Sequence, residues 1–330
     1  MALGLVNALE WAHQWWGPLS WLVLLVFLSG TVIELYDRRL ARYVLVGGWG
    51  VLALFWVSAI YQFVFDQKSI TEGIAVVLAI PLSLYVGYLL ASGRDRLIVV
   101  SRAVAVGWLI YLPFSTLPFL RNPLIAIVTD QTATVLSLIG ADFEVIAGNN
   151  FPADLGPAEP VEPYQKTFFF HVPDVRAISY TIMMACTGIG SMAIFGGLIA
   201  AVRAPLARKL KALAVAVGII WVLNIARNVF IAYSFGYQRL QIFPEFVMSV
   251  FGIDSRLEVS YIVADRILAQ FLSVFALVGI TYVVIKILPE VLTIVDEALY
   301  VLTRNEYDLQ DALDVEARAD GGSERRDETV

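Results

Sequence analysis

Seven apolar stretches, each about 18 to 29 residues long, constrain what this chain can fold into more than any other feature. They fall at 19–36, 43–64, 70–92, 97–119, 178–202, 211–234 and 259–287. At a helical rise of about 1.5 Å per residue, each reaches across roughly 30 Å of hydrocarbon. The pattern predicts an all-α polytopic membrane protein with about seven transmembrane helices. Composition agrees, because 59% of the 330 residues are hydrophobic and only 16% are charged, against about 25% charged in soluble domains. No basic segment precedes the first stretch, and Asp37-Arg38-Arg39 follows it. It therefore reads as a retained helix and not as a cleaved leader.

The same composition excludes several functions. A formal net charge of −6 without a Lys/Arg-rich block leaves no footprint for nucleic acid. One cysteine, Cys186, forms no internal disulfide, and with only two histidines the chain offers no Cys/His metal cage. Neither a metal nor another cofactor is expected.

Basic residues set the expected orientation. Arg38, Arg39 and Arg42 lie between the first two stretches, and Arg94, Arg96 and Arg102 flank the third-to-fourth turn. Arg203, Arg208, Lys209 and Lys211 fill the fifth-to-sixth turn, and Lys286 closes the last stretch. With alternating spans all fall on one side, which is then cytoplasmic, leaving the N-terminus outside and the C-terminus inside. Four regions follow: a membrane region at 1–119, an external segment at 120–177, a three-helix membrane region at 178–288 and a cytoplasmic segment at 289–330.

Within the external segment, Leu124 to Ile139 reads as an amphipathic surface helix. Phe143 to Ile146 and Thr167 to Val172 read as short strands flanking the Pro-rich stretch Pro152 to Pro163, predicting a small external cap between the fourth and fifth spans. The loop Phe235 to Glu258 carries Phe243, Phe246, Val247 and Phe251 and reads as interfacial. After Pro289 an amphipathic stretch runs to Thr303; the tail from Arg304 holds nine acidic residues against four arginines and reads as disordered.

Costly side chains inside the spans point to a site. Arg227 lies seven residues before the external end of the sixth span, Arg266 seven after the external start of the seventh, and Cys186 about eight into the fifth. These offsets place all three roughly 10–12 Å below the outer boundary. An intramembrane arginine costs about 2.5–3.5 kcal/mol on insertion scales and normally faces a cavity or partner. Each has a bland counterpart: arginines snorkel, Asp265 offers Arg227 a structural ion pair, and a free cysteine is commonly an inert buried thiol. The shared depth of all three favours a site.

Spacing adds polar company. Asn224, Arg227 and Asn228 share one helix face, as do Arg266 and Gln270. Cys186, Gly190, Ala193 and Gly197 form a small-residue stripe that plain helix packing explains. A thiolate is a nucleophile, and a guanidinium beside it supplies fixed positive charge and up to five donors for an oxyanion. A cysteine with two arginines therefore suits acyl transfer through a thioester. With a pKa above 12, arginine serves first as charge and donor, not as a proton source.

Three weaker signals fall away. Gly188-Ile189-Gly190-Ser191-Met192-Ala193 matches a dinucleotide-binding pattern but lacks the βαβ context that gives it meaning. His171 with Ser191 would make a Ser/His pair, yet His171 sits in the external segment as an ordinary surface histidine. His13 among Trp11, Trp15 and Trp16 reads as an interfacial aromatic belt.

The segments Ala185-Cys186-Thr187-Gly188-Ile189-Gly190-Ser191, Asn224-Ile225-Ala226-Arg227-Asn228 and Ala264-Asp265-Arg266 resemble the three motifs of the exosortase/archaeosortase superfamily. Arg266 stands where bacterial members carry histidine, the archaeal variant. The resemblance covers about residues 178–290, and the first four spans carry no motif. It implies a membrane-embedded cysteine transpeptidase that cleaves surface proteins near a C-terminal Pro-Gly-Phe motif, followed by a hydrophobic helix and a basic end. It further implies attachment of the new C-terminus to a membrane lipid. By the same resemblance, Cys186 forms the acyl-thioester, Arg227 is the proton donor and Arg266 stabilises the transition state, with Thr187, Gly188, Asn224, Asn228, Asp265 and Gln270 in support. The acidic balance suits a halophilic archaeon. Two other readings stay open: a transporter binding an anionic substrate through its intramembrane arginines, and a scaffold in which those arginines only pair with Asp265.

Overall fold

The structure, a computed structural model, describes residues 2–67, 70–150, 162, 164–172, 175–307 and 309. A short helix, α1 (Ala2–His13), leads into four long ones: α2 (Trp16–Ile33), α3 (Arg38–Ile60), α4 (Ile70–Ala91) and α5 (Ile98–Thr116). Asp37 starts α3 as a side-chain cap, accepting hydrogen bonds from the amides of Arg39 at 2.8 Å and Leu40 at 3.0 Å. Aromatic packing joins these helices: Phe27 meets Trp49 edge-on at 5.4 Å and Phe55 meets Trp108 at 4.9 Å. The Trp49 indole donates to the buried Ser101 hydroxyl at 2.9 Å, so its one polar atom is satisfied.

Next come α6 (Pro118–Leu138) and a three-stranded antiparallel sheet, β1 (Glu144–Ala147), β2 (Lys166–Val172) and β3 (Val175–Thr181), in the order β1-β2-β3. The 3-10 turn Met184–Thr187 then enters α7 (Ile189–Ala201), followed by α8 (Leu206–Gly236) and α9 (Pro244–Phe251). The last long helix begins as α10 (Val259–Tyr261), continues through a π-helical stretch, Ile262–Ala269, and ends as α11 (Gln270–Ile287). After it, α12 (Leu292–Thr303) turns back so that Tyr300 and Val301 pack against the core of α2 to α5.

Among the described residues six helices are long and apolar enough to cross a membrane: Trp16–Ile33, Arg38–Asp66, Ile70–Ala91, Asp95–Thr116, Leu206–Gly236 and Arg256–Ile287. Leu54, Leu78, Val222 and Phe275 are each more than half exposed along these helices, and such a surface suits lipid. The predicted fifth span, 178–202, is not one helix. Its first residues form β3, where Ile178 and Tyr180 point inward and Ser179 outward, and only Ile189–Ala201 is helical. A strand buried on one face runs directly into an apolar helix, and hydropathy alone merges the two. At 13 residues, α7 measures about 20 Å.

The cap is a real sheet. Its two expected strands lie within one residue of their predicted bounds, and β3 completes it. Phe168, Phe170, Ile178 and Tyr180 fill one face and pack on Val128 and Leu136 of α6 and Ile231 of α8. The Phe170 ring lies directly over Gly236, where a Cβ would collide with it. The expected surface helix at 124–139 is α6, whose face Ile125, Val128, Thr132 and Leu136 is buried. Residues 152–161 of the Pro-rich stretch and nearly all of the tail expected to be disordered lie outside the described residues.

At the bundle end opposite the sheet, ion pairs tie the helix ends together. Arg42 meets Asp95 at 2.7 Å and Arg208 meets Glu290 at 2.7 Å. Arg94 grips the buried Glu297 of α12 at 2.7 and 3.1 Å and stacks 3.3 Å from the Tyr300 ring centre.

Candidate active site

Cys186 sits in the 3-10 turn between the sheet and α7, not inside a membrane helix as the apolar run suggested. The turn is tightly held. The Cys186 amide donates to Met183 O at 2.9 Å, and the Thr187 hydroxyl donates to Met184 O at 2.7 Å. Gly188 leaves the turn at φ +78°, a left-handed conformation that an L side chain pays about 1–2 kcal/mol to adopt. A Cβ there would also stand 3.0 Å from the Asn224 side chain. Glycine is required twice over, once by the backbone and once by its neighbour.

Two amides from α8 fix the Cys186 backbone. The Asn224 and Asn228 side chains both donate to the Cys186 carbonyl, each at 2.8 Å. Asn228 is fully buried and Asn224 nearly so. The four-residue spacing read from the sequence thus becomes a pincer on one oxygen. Arg227 lies on the same face and comes close enough for its charge to act on the Cys186 thiol.

The two arginines share one carboxylate. Arg227 Nη2 meets Asp265 Oδ1 at 2.6 Å, while Arg266 Nε lies 3.6 Å from Asp265 Oδ2. Arg266 also reaches across to Glu72 on α4 at 3.4 Å. A chain of alternating charges, Arg227–Asp265–Arg266–Glu72, therefore links α8, the π-helical stretch and α4. The widened π turn accounts for adjacent Asp265 and Arg266 engaging different neighbours, and such stretches recur at functional sites. Gln270 opens α11 immediately after it.

The structure brings Cys186, Asn224, Arg227, Asn228 and Asp265 into one cluster, with Arg266 joined through Asp265. It separates the Ser/His pair: His171 is exposed on β2, 3.7 Å from Glu144. His13 lies at the far N-terminal helix, its Nδ1 3.3 Å from Ser58 O. A cavity of about 480 Å³ opens beside the cluster between α7, α8 and α11, lined by Ala185, Gly188, Ser191, Asn224, Arg227 and Leu272 among others. Its walls are mostly apolar, with Ser191, Asn224, Arg227 and Ser273 as polar groups, as in ordinary small-ligand sites.

Sequence reasoning missed three neighbours of the site. Glu72 was detectable, as an acid two residues inside an apolar stretch that starts on the same expected side. Tyr180 and Tyr261, whose hydroxyls lie among Cys186, Arg227 and Asp265, carried no signal, because aromatic residues are common in apolar runs.

The pattern of the transmembrane exosortase family matches residues 8–255, so Arg266 lies beyond the matched range. Archaeosortase A of Haloferax volcanii is 41% identical over 305 residues, covering 89% of this chain and 96% of that protein. Archaeosortase A of Natronomonas pharaonis is 40% identical over 287 residues, covering 86% of this chain and 88% of that one. No solved structure matches. A family pattern spanning most of the chain and two relatives aligned over nearly their whole length lead to one conclusion: this chain is a member of the transmembrane exosortase family.

Proposed function

We propose that this chain is a membrane-embedded cysteine transpeptidase. It cleaves a membrane-inserted C-terminal sorting signal of the Pro-Gly-Phe type on surface proteins and passes the new C-terminus to a membrane lipid. The observation that carries this reading is the pincer of Asn224 and Asn228 on the Cys186 carbonyl, with Arg227 between them on α8 and paired to Asp265. A packing cysteine needs no such fixture. A nucleophile does, because small misplacements cost large factors in rate.

The chemistry follows from the groups present. Cys186 Sγ attacks the scissile carbonyl carbon, and the oxyanion that develops is stabilised by the Arg227 guanidinium. Collapse breaks the C–N bond and leaves a thioester on Sγ. A nucleophilic group of the acceptor lipid then attacks the thioester carbon, passing its proton to the departing sulfur, and the thiol is released. Asp265 holds both guanidiniums in place, and Arg266 supports the transition-state charge from the second rank. The cap between the fourth and fifth spans limits water at the thioester and favours transfer over hydrolysis.

The proposed orientation puts the sheet end outside. The basic residues Arg38, Arg42, Arg94, Arg208 and Lys209 gather at the opposite end, as the positive-inside rule requires of a cytoplasmic face. The four regions bounded at residues 119, 177 and 288 then divide the labour: support, cap, catalysis and a cytoplasmic closure.

The test is the mass of a candidate surface protein's C-terminus in cells with and without this chain. With it, the signal segment is gone and the remaining mass includes a lipid; without it, the protein ends at its encoded terminus. An identical C-terminus in both strains overturns the reading.

A further inference from the structure

Thioester formation leaves one proton unaccounted for: the thiol must lose it and the departing nitrogen must gain it. Neither histidine is near the site, and arginine holds its protons too firmly to relay one. Tyr180 stands where a relay is needed. It lies on β3, paired with Phe168 of β2, and its side chain is 94% buried in the sheet's inner face. Its hydroxyl has no hydrogen-bond partner of ordinary geometry, which is rare for a buried polar group. Cys186 and Tyr261 pack against the same buried cluster that holds Tyr180, and the charges of Cys186, Asp265 and Arg227 act on its hydroxyl.

We propose that Tyr180 is a catalytic residue, its hydroxyl relaying the Cys186 proton to the leaving nitrogen. As the C–S bond forms, the thiol proton passes to Tyr180 Oη while the Oη proton passes to the amide nitrogen, and the C–N bond breaks. The phenol ends neutral, so no oxidant, reductant or further base is consumed. In deacylation the same relay runs backwards, carrying the acceptor nucleophile's proton to the departing sulfur. The sheet thereby contributes to the reaction and does not merely cover it.

The inference rests on the proposed transpeptidase reading, and the test separates the two. Tyr180→Phe keeps the ring and removes only an unpartnered hydroxyl, so the variant should fold with unchanged or higher thermal stability. Its acylation of an amide-linked sorting-signal peptide should fall about 10²–10³-fold, the usual scale of general acid–base catalysis, with KM unchanged. A peptide in which a phenyl ester replaces the scissile amide has a leaving group that departs without a proton. On that substrate Tyr180→Phe should lose less than about tenfold, because one of the two proton transfers is no longer required. Wild-type rates on the amide, or equal losses on amide and ester, overturn the relay while leaving the transpeptidase standing. If Tyr180→Phe does not fold, Tyr180→Leu, which removes the hydroxyl without adding volume to the packed face, takes its place with the same substrate pair. If the unaltered chain fails to acylate either peptide, the transpeptidase reading itself falls.

Discussion

Cys186→Ser leaves the substrate full-length, with processing reduced by about 10⁴-fold or more, while the protein inserts and folds as before. The size follows from what is removed. Loss of a nucleophile costs on the order of 10⁶ in well-studied hydrolases, and a serine hydroxyl here has no histidine to activate it. Serine keeps the shape of the turn, since the contacts that hold it run through the Cys186 backbone to Met183, Asn224 and Asn228. Immunoblotting of a substrate protein reads the outcome, and protease resistance of the variant in membranes checks its fold. Unchanged processing by Cys186→Ser removes the thiol from the reaction.

Asp265→Asn is expected to have the second largest effect, on stability and on processing together. Asp265 is 7% exposed and holds two guanidiniums, so neutralising it leaves Arg227 with no acidic partner among its described ion pairs. Breaking a buried pair costs about 3–5 kcal/mol, and the lower end applies because the Arg227 side chain is 25% exposed. Detergent-solubilised protein should therefore melt several degrees lower, and processing should be lost. Adding Arg227→Gln removes the stranded charge and restores stability. Processing stays lost if Arg227 serves the thiol. Its return in the double variant identifies the pair as structural only.

The candidate site was legible in the sequence because it is written in expensive residues. Arg227, Arg266 and Asp265 stand out in apolar surroundings, and their pairing follows from charge. Asn224 and Asn228 were visible by spacing, although their shared target, the Cys186 carbonyl, was not. What misled was the run 178–202. Hydropathy measures how apolar a segment is and not whether its period is 2 or 3.6, so β3 and α7 merged into one span. The depth assigned to Cys186 used a helical rise through residues that are in fact a strand and a 3-10 turn. Glu72 was overlooked because it comes from α4, whose stretch carries no motif. Tertiary packing, and not local pattern, brings it to Arg266.

The most direct test traps the covalent intermediate. Purified chain in lipid is mixed with a sorting-signal peptide, quenched in acid, and the fragment containing Cys186 is weighed. The account predicts an added mass equal to the N-terminal part of the cleaved peptide, carried on Cys186 and removed by neutral hydroxylamine. Cleavage by the unaltered chain with no adduct on Cys186, or with an adduct on another residue, contradicts it.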